Sequence, residues 1–273
     1  MTLVVFDMDG TLLNASSEVT PFTAETLALM RQSGVAYTVA TGRTLQAALG
    51  PLKGFQFQLP HILKNGAVIW GPEQKDYSHR HLLSQAEVWH VLDAMHTQEI
   101  TPFLFTLDTA GHHAVYHGKL KSEAENRLAQ LFEDERHLPL EPIAAMPKDV
   151  HVINLSGMGP AANISTIVNS VANEDGLVAY TGTAIQSQGL SWMDIHHSYG
   201  SKGNGISTLR EELGYEDIIV FGDGDNDLSM FAVADEAYAT ANADDEVKAL
   251  ATRVIGHHDE DGVAQFLRDR FNL

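Results

Sequence analysis

Two aspartates one residue apart, Asp7 and Asp9, follow directly on the apolar run Leu3-Val4-Val5-Phe6 and precede Gly10-Thr11. A short apolar run closed by a turn signal reads as a buried strand, and Gly10 marks where it breaks into a loop. Successive strand side chains alternate between faces, so Asp7 and Asp9 share a face where the strand continues, with Asp9 on the bend. Two carboxylates at a strand's carboxyl end, with no basic residue nearby in sequence, are costly to leave uncompensated. A divalent cation solves that problem. Mg²⁺ suits carboxylate oxygens and fills its remaining positions with water and substrate phosphate. The plainer reading is a surface turn carrying two solvated acids. It is disfavoured because both acids abut an apolar strand, at the position where α/β sheets bind ligands.

A second acidic cluster, Gly222-Asp223-Gly224-Asp225-Asn226-Asp227, follows the apolar run Ile218–Phe221. Three aspartates in five residues repel one another unless a cation sits among them. An EF-hand loop would require glycine at its sixth position, where Leu228 stands. Elsewhere, the apolar stretch Val35–Ala40 runs into Thr41-Gly42-Arg43, with a helix expected from about Thr44. Strand, glycine turn and helix start together aim backbone N–H groups at an anion. Arg43 is either a substrate contact or a helix-surface charge. Ser201-Lys202-Gly203 opens another helix, with Ser201 a reasonable N-cap. A lysine there opposes the helix macrodipole, which makes sense if it pairs with an anion at that end; the alternative is a solvated surface lysine.

Taken in order, Asp7-Met8-Asp9-Gly10-Thr11, Thr41-Gly42, Lys202-Gly203 and Gly222-Asp223-x-x-Asn226-Asp227 resemble the four motifs of the haloacid dehalogenase superfamily. The resemblance implies an α/β fold with a Rossmann-like, doubly wound parallel sheet, its four loops converging at the carboxyl ends of the strands. It implies that Asp7 is a nucleophile forming an aspartyl-phosphate, and that Asp9 is the general acid and then the base. It places Mg²⁺ among Asp7, Asp9 (through its carbonyl), Asp223 and Asp227, with Asp227 also able to orient metal-bound water or Lys202. Met8, Thr41, Gly42, Arg43, Lys202 and Asn226 are then the phosphate and substrate contacts. Asn65, in Lys64-Asn65-Gly66-Ala67, is either a pocket residue by the same resemblance or part of a plain Asn-Gly turn.

These residues need elements to hold them. Strand and helix patterns alternate up to about residue 80, with Pro21–Gln32 a helix capped by Thr20. Between about 80 and 186 the order changes to α-β-β-α-β-α-β, which reads as an inserted α+β domain. The expected organisation is a catalytic core of 1–80 and 187–273 around an inserted domain of 81–186. Gly189–Ile195 is read as the return to the core, most simply as a core strand, with Asp194 a possible cleft residue. The insertion lies between the second and third motifs and resembles the large cap of the Cof-type branch. That branch implies Mg²⁺-dependent hydrolysis of small phosphorylated metabolites, such as sugar phosphates and pyridoxal phosphate. A phosphosugar mutase and a non-catalytic metabolite-binding regulator are the alternatives on the same scaffold.

Composition narrows the classes. The formal net charge of −19 over 273 residues disfavours nucleic acid and anionic membrane as partners. There is no cysteine, hence no disulfide, thiol nucleophile or thiolate metal site. No apolar stretch approaches a membrane span, and the N-terminus lacks a signal-peptide pattern, so a cytoplasmic protein is expected; monomer and homodimer both stay open. Fourteen histidines, among them His112, His113, His117, His196 and His197, match no metal-site spacing and read as hydrogen-bonding residues.

Overall fold

The computed structural model describes residues 1–135, 138–172, 174–183 and 189–273. The chain divides into two compact units, Met1–His79 with Ser201–Leu273, and Arg80–Gly200.

The first unit begins with β1 (Thr2–Phe6), α1 (Pro21–Gln32), β2 (Ala36–Val39), α2 (Leu45–Leu52), β3 (His61–Leu63), β4 (Val68–Gly71) and β5 (Asp76–Arg80). Thr20 caps α1 by accepting from the Thr23 amide at 3.1 Å, and Pro21 occupies the first turn, where its missing N–H costs nothing. The chain then enters the second unit: α3 (Gln85–Thr97), β6 (Phe103–Leu107), β7 (His113–His117), α4 (Glu123–Gln130), β8 (Leu140–Pro142), β9 (His151–Pro160), α5 (Ala161–Val171), β10 (Leu177–Thr183) and β11 (Leu190–His197). It returns through α6 (Lys202–Leu213), β12 (Asp217–Gly222), α7 (Leu228–Phe231), β13 (Glu236–Ala239), α8 (Asp245–Leu250), β14 (Arg253–Val254) and α9 (Gly262–Phe271).

In the first unit a five-stranded sheet runs in the order β14-β13-β12-β1-β2, every pair parallel. An isolated parallel bridge between Ala40 and Ile62 carries it on to β3, β4 and β5. Both faces are covered, which is why the strands read as continuous apolar runs rather than alternating ones. Leu3, Val5, Ile218 and Val220 pack with Ile206 and Leu209 of α6. On the other face Phe6, Phe221, Tyr238 and Phe266 form a chain of ring contacts. The register sets Phe6 level with Val39 on one side and Phe221 on the other, so three carboxyl ends lie side by side.

The second unit is a six-stranded sheet in the order β10-β11-β9-β6-β7-β8, with α3 and α5 packed on one face. The expected boundary between residues 186 and 187 lies outside the described residues. The expectation that Gly189–Ile195 rejoins the core is corrected: β11 pairs antiparallel with both β9 and β10, and Met193 and Ile195 sit in this unit's own apolar core. The return to the first unit therefore comes at Ser201. The reason is pairing: β11 is an interior strand with a partner along most of both edges, and its apolar run resembles a core strand of either unit. Asp194 belongs to the same sheet, where its carboxylate accepts from Ser156 Oγ and from Asn154 Nδ2.

Candidate active site

Asp7 is the first residue beyond β1. Its amide still donates to Phe221 O at 2.9 Å, so the backbone is held in register with β12 up to the acid itself. The chain then turns through a single wide helical turn, Met8–Leu12, closed by the Leu13 amide on Met8 O at 2.9 Å. Gly10 makes the turn possible. Its φ is +72°, and a Cβ there would lie 2.2 Å from Asp223 Oδ2. Any side chain at residue 10 would push away one of the acids the loop exists to approach.

The opposite wall is α6. Ser201 caps it by accepting from the Asn204 amide at 3.1 Å. Gly203 lets it pack against the start of α7, since a Cβ there would sit 2.2 Å from Ser229 O. This brings Lys202, fully buried, between two acids: its Nζ donates to Asp7 Oδ1 and to Asp227 Oδ1, each at 2.6 Å. The surface-lysine reading of Lys202 is thereby set aside. Asp227 is fully buried too, and its Oδ2 accepts from the Asp223 and Gly224 amides at 2.8 and 3.0 Å. Three hydrogen bonds leave Asp227 little free acceptor capacity. Its geometry is that of an anchor for Lys202 and for the turn after β12.

Asp223 is held by Thr11, whose hydroxyl donates to its Oδ1 at 2.9 Å. Oxygens of Asp7, Asp223 and Asp227 all lie within 4.8 Å of one another. One lysine against three carboxylates leaves the cluster short of positive charge. Burial pushes the Asp7 carboxyl well above the usual range; Lys202 pulls it down, while Asp227 and Asp223 push it further up. Burial, with Asp227 beside it, also raises Asp223 to about 6. Burial alone would lower Lys202, but Asp227 and Asp7 more than offset it and hold the ammonium charged. An oxygen-only donor set with surplus negative charge, partly open at Asp223, fits a hard divalent cation such as Mg²⁺.

Asp9 stands apart from that cluster. Its exposed carboxylate is forked by Arg43, Nε on Oδ2 at 2.8 Å and a terminal nitrogen on Oδ1 at 2.5 Å. Arg43 also donates to Ala47 O at 3.0 Å and to Ser17 Oγ at 3.2 Å. It is therefore paired with Asp9 and not a solvated charge on the helix surface. Thr41 is fully buried, its amide on Ile62 O and its Oγ1 accepting from the Arg43 amide at 3.1 Å, which leaves its own O–H to donate. Asn65 lies in the turn between β3 and β4 and accepts from Asn226 Nδ2 at 2.9 Å. Asn65 is thus an Asn-Gly turn residue whose side chain is hydrogen-bonded to Asn226.

Asn242 has a place that sequence reasoning did not assign. Its Nδ2 donates to Gly10 O at 2.8 Å and lies 3.5 Å from Asp223 Oδ2. The available signal was positional: Asn242 follows β13, the next parallel strand, at the same carboxyl edge as the other motifs.

A model of the haloacid dehalogenase-like hydrolases matches residues 4–267. The pyridoxal phosphate phosphatase YbhA of Escherichia coli is 27% identical over 277 residues, covering 97% of each chain. The 5-amino-6-(5-phospho-D-ribitylamino)uracil phosphatase YwtE of Bacillus subtilis is 27% identical, covering 98% of this chain and 97% of its own. Among solved structures, a haloacid dehalogenase-like hydrolase from B. subtilis superposes with a TM-score of 0.82 at 20% identity, covering 98% of this chain and 99% of that one. The motif order, the parallel sheet and these likenesses agree: the chain belongs to the haloacid dehalogenase-like hydrolases, in their Cof-type branch.

Proposed function

We propose that the protein is a Mg²⁺-dependent phosphatase that hydrolyses a small phosphorylated metabolite, of the sugar phosphate or pyridoxal phosphate class, through an aspartyl-phosphate on Asp7. The observation that carries this reading is the buried Lys202 bridging Asp7 and Asp227 beside Asp223. An anionic nucleophile must meet an anionic phosphate, so offsetting charge is the largest demand on the site. The named activities of the two curated relatives, both phosphomonoester hydrolyses on small molecules, support the substrate class.

A carboxylate oxygen of Asp7 attacks phosphorus in line, forming the acyl-phosphate bond as the bond to the leaving oxygen breaks. Asp9 in its acid form gives that oxygen a proton, and the alcohol leaves. Asp9 then takes a proton from water, which attacks the same phosphorus and releases inorganic phosphate and Asp7. The fork from Arg43 occupies both Asp9 oxygens, so that pair must part for Asp9 to reach the leaving oxygen. The Thr41 hydroxyl, the Gly42 and Met8 amides, Asn226 and Lys202 hold the phosphoryl oxygens. Asp7, Asp223, the Asp9 carbonyl and Asp227, directly or through water, would hold Mg²⁺, which when bound supplies positive charge against those oxygens. Release of phosphate across a panel of phosphorylated metabolites, with and without excess chelator, tests the reading. It expects turnover of at least one small monoester that chelation abolishes and Mg²⁺ restores. Turnover unaffected by chelation, or none across the panel with Mg²⁺ present, would contradict it.

A further inference from the structure

A second group of metal-ligating side chains lies in the first unit, in the turn between β14 and α9: His257, His258 and Asp259, whose donor atoms all fall within 4.8 Å of one another. None of the three belongs to the motifs above. From this geometry we infer that they form a site for a borderline transition-metal ion such as Zn²⁺, separate from the carboxylate cluster.

The donor set is the first argument. Two imidazoles and one carboxylate suit Zn²⁺ and its neighbours, whereas Mg²⁺ prefers an all-oxygen shell. The two clusters therefore select different ions by ligand chemistry. Orientation is the second. His258 Nδ1 lies 2.8 Å from Leu13 O, which fixes the proton on Nδ1 and leaves Nε2 as the lone-pair nitrogen. A backbone carbonyl on one ring nitrogen with the other turned outward is how ligating histidines are held. Nε2 lies 3.7 Å from Asp259 Oδ2, a gap that a shared ion can bridge. Asp259 is itself positioned, its Oδ1 accepting from the Ala15 amide at 2.7 Å. The His257 ring lies 4.8 Å from that of His258; its ligation exchanges a 3.2 Å hydrogen bond from the Asp259 amide for a metal bond. Asp259 is exposed and the two histidines half-buried, so water can complete a tetrahedral shell.

The place gives the site a consequence. Leu13 and Ala15 end the loop that carries Asp7 and Asp9, and the His258 amide donates to Asn242 Oδ1, the residue whose Nδ2 holds Gly10 O. An ion on His257, His258 and Asp259 ties down the far end of the catalytic loop.

The test is calorimetric titration of Zn²⁺ into the full chain at pH 7.5 with millimolar Mg²⁺ present, beside thermal unfolding with and without Zn²⁺. One Zn²⁺ per chain is expected, with a rise in melting temperature. His257→Gln, which gives up only a local turn bond, should weaken binding by at least the roughly 10- to 100-fold that loss of even an outer-shell partner costs. His258→Gln should do the same, and Asp223→Asn should leave zinc binding in place. Absence of stoichiometric binding, equal binding by His257→Gln, or binding lost with Asp223→Asn instead would overturn the inference.

Discussion

The residue on which the site's electrostatics turns is Lys202. It bridges Asp7 and Asp227 in a place where neither side chain meets much water. Removing one partner of a buried ion pair leaves an uncompensated charge and costs about 3–5 kcal/mol. Lys202→Met is therefore expected to lower the unfolding free energy by that order, read by urea denaturation without Mg²⁺, and to lower turnover as well. A change of under about 1 kcal/mol would show that the pair contributes no stability. Much at this scale was legible beforehand. Lys202 stood out because a cation at a helix start is an electrostatic misfit without an anion. The division of labour among the acids was not legible from spacing, and only the family resemblance suggested that Asp227 orients Lys202 or metal-bound water. Spacing places Asp223 and Asp227 alike, whereas in the fold Asp227 gives its oxygens to Lys202 and two amides. Arg43 was ambiguous for the same reason, since its partner Asp9 lies 34 residues away in sequence.

Among the elements, β3 carries a titrating group that the chemistry does not use. His61 is buried in an aromatic cluster with Phe57 and Trp70, and burial lowers its pKa to about 4 from an ordinary 6.5. The folded state binds its proton less readily than the unfolded one, so unfolding takes up a proton between those values. Stability from this residue is thus complete above pH 6.5 and lost as pH falls towards 4, about 3 kcal/mol in all and about 2 by pH 5. The check is the difference in unfolding free energy between pH 7.5 and 5.0. It should be smaller for His61→Leu than for the natural chain, and an equal difference would remove His61 from the account. Elements were readable where their partners are local: α1 has its cap and proline, and β6 and β7 have a short connection. β11 was misassigned because its apolar run reads like a core strand, while its neighbours β9 and β10 are fixed by long-range pairing. The two-residue β14 carries too little pattern to read at all.

At the scale of the whole molecule, a net charge of −19 opposes the approach of a phosphorylated substrate. Screening shortens that repulsion, from a Debye length of about 30 Å at 0.01 M salt to about 8 Å at 0.15 M. KM for an anionic monoester, at saturating Mg²⁺, is expected to fall severalfold as KCl is raised over that range. A rising KM would mean that local positive charge, from Lys202 and the proposed Mg²⁺, dominates the long-range field. The fold earns its chemistry by bringing together residues that lie some two hundred positions apart in the chain: β1 and β12 are neighbours, and their loops put Asp7 against Asp223, Asp227 and Lys202. In the proposed chemistry Asp7 accepts the phosphoryl group. That step is tested most directly by phosphate release from Asp7→Asn, with deamidation excluded by peptide mass and folding verified by circular dichroism. The account expects turnover to drop by more than about 10³-fold with the fold intact; turnover near that of the natural chain would contradict it.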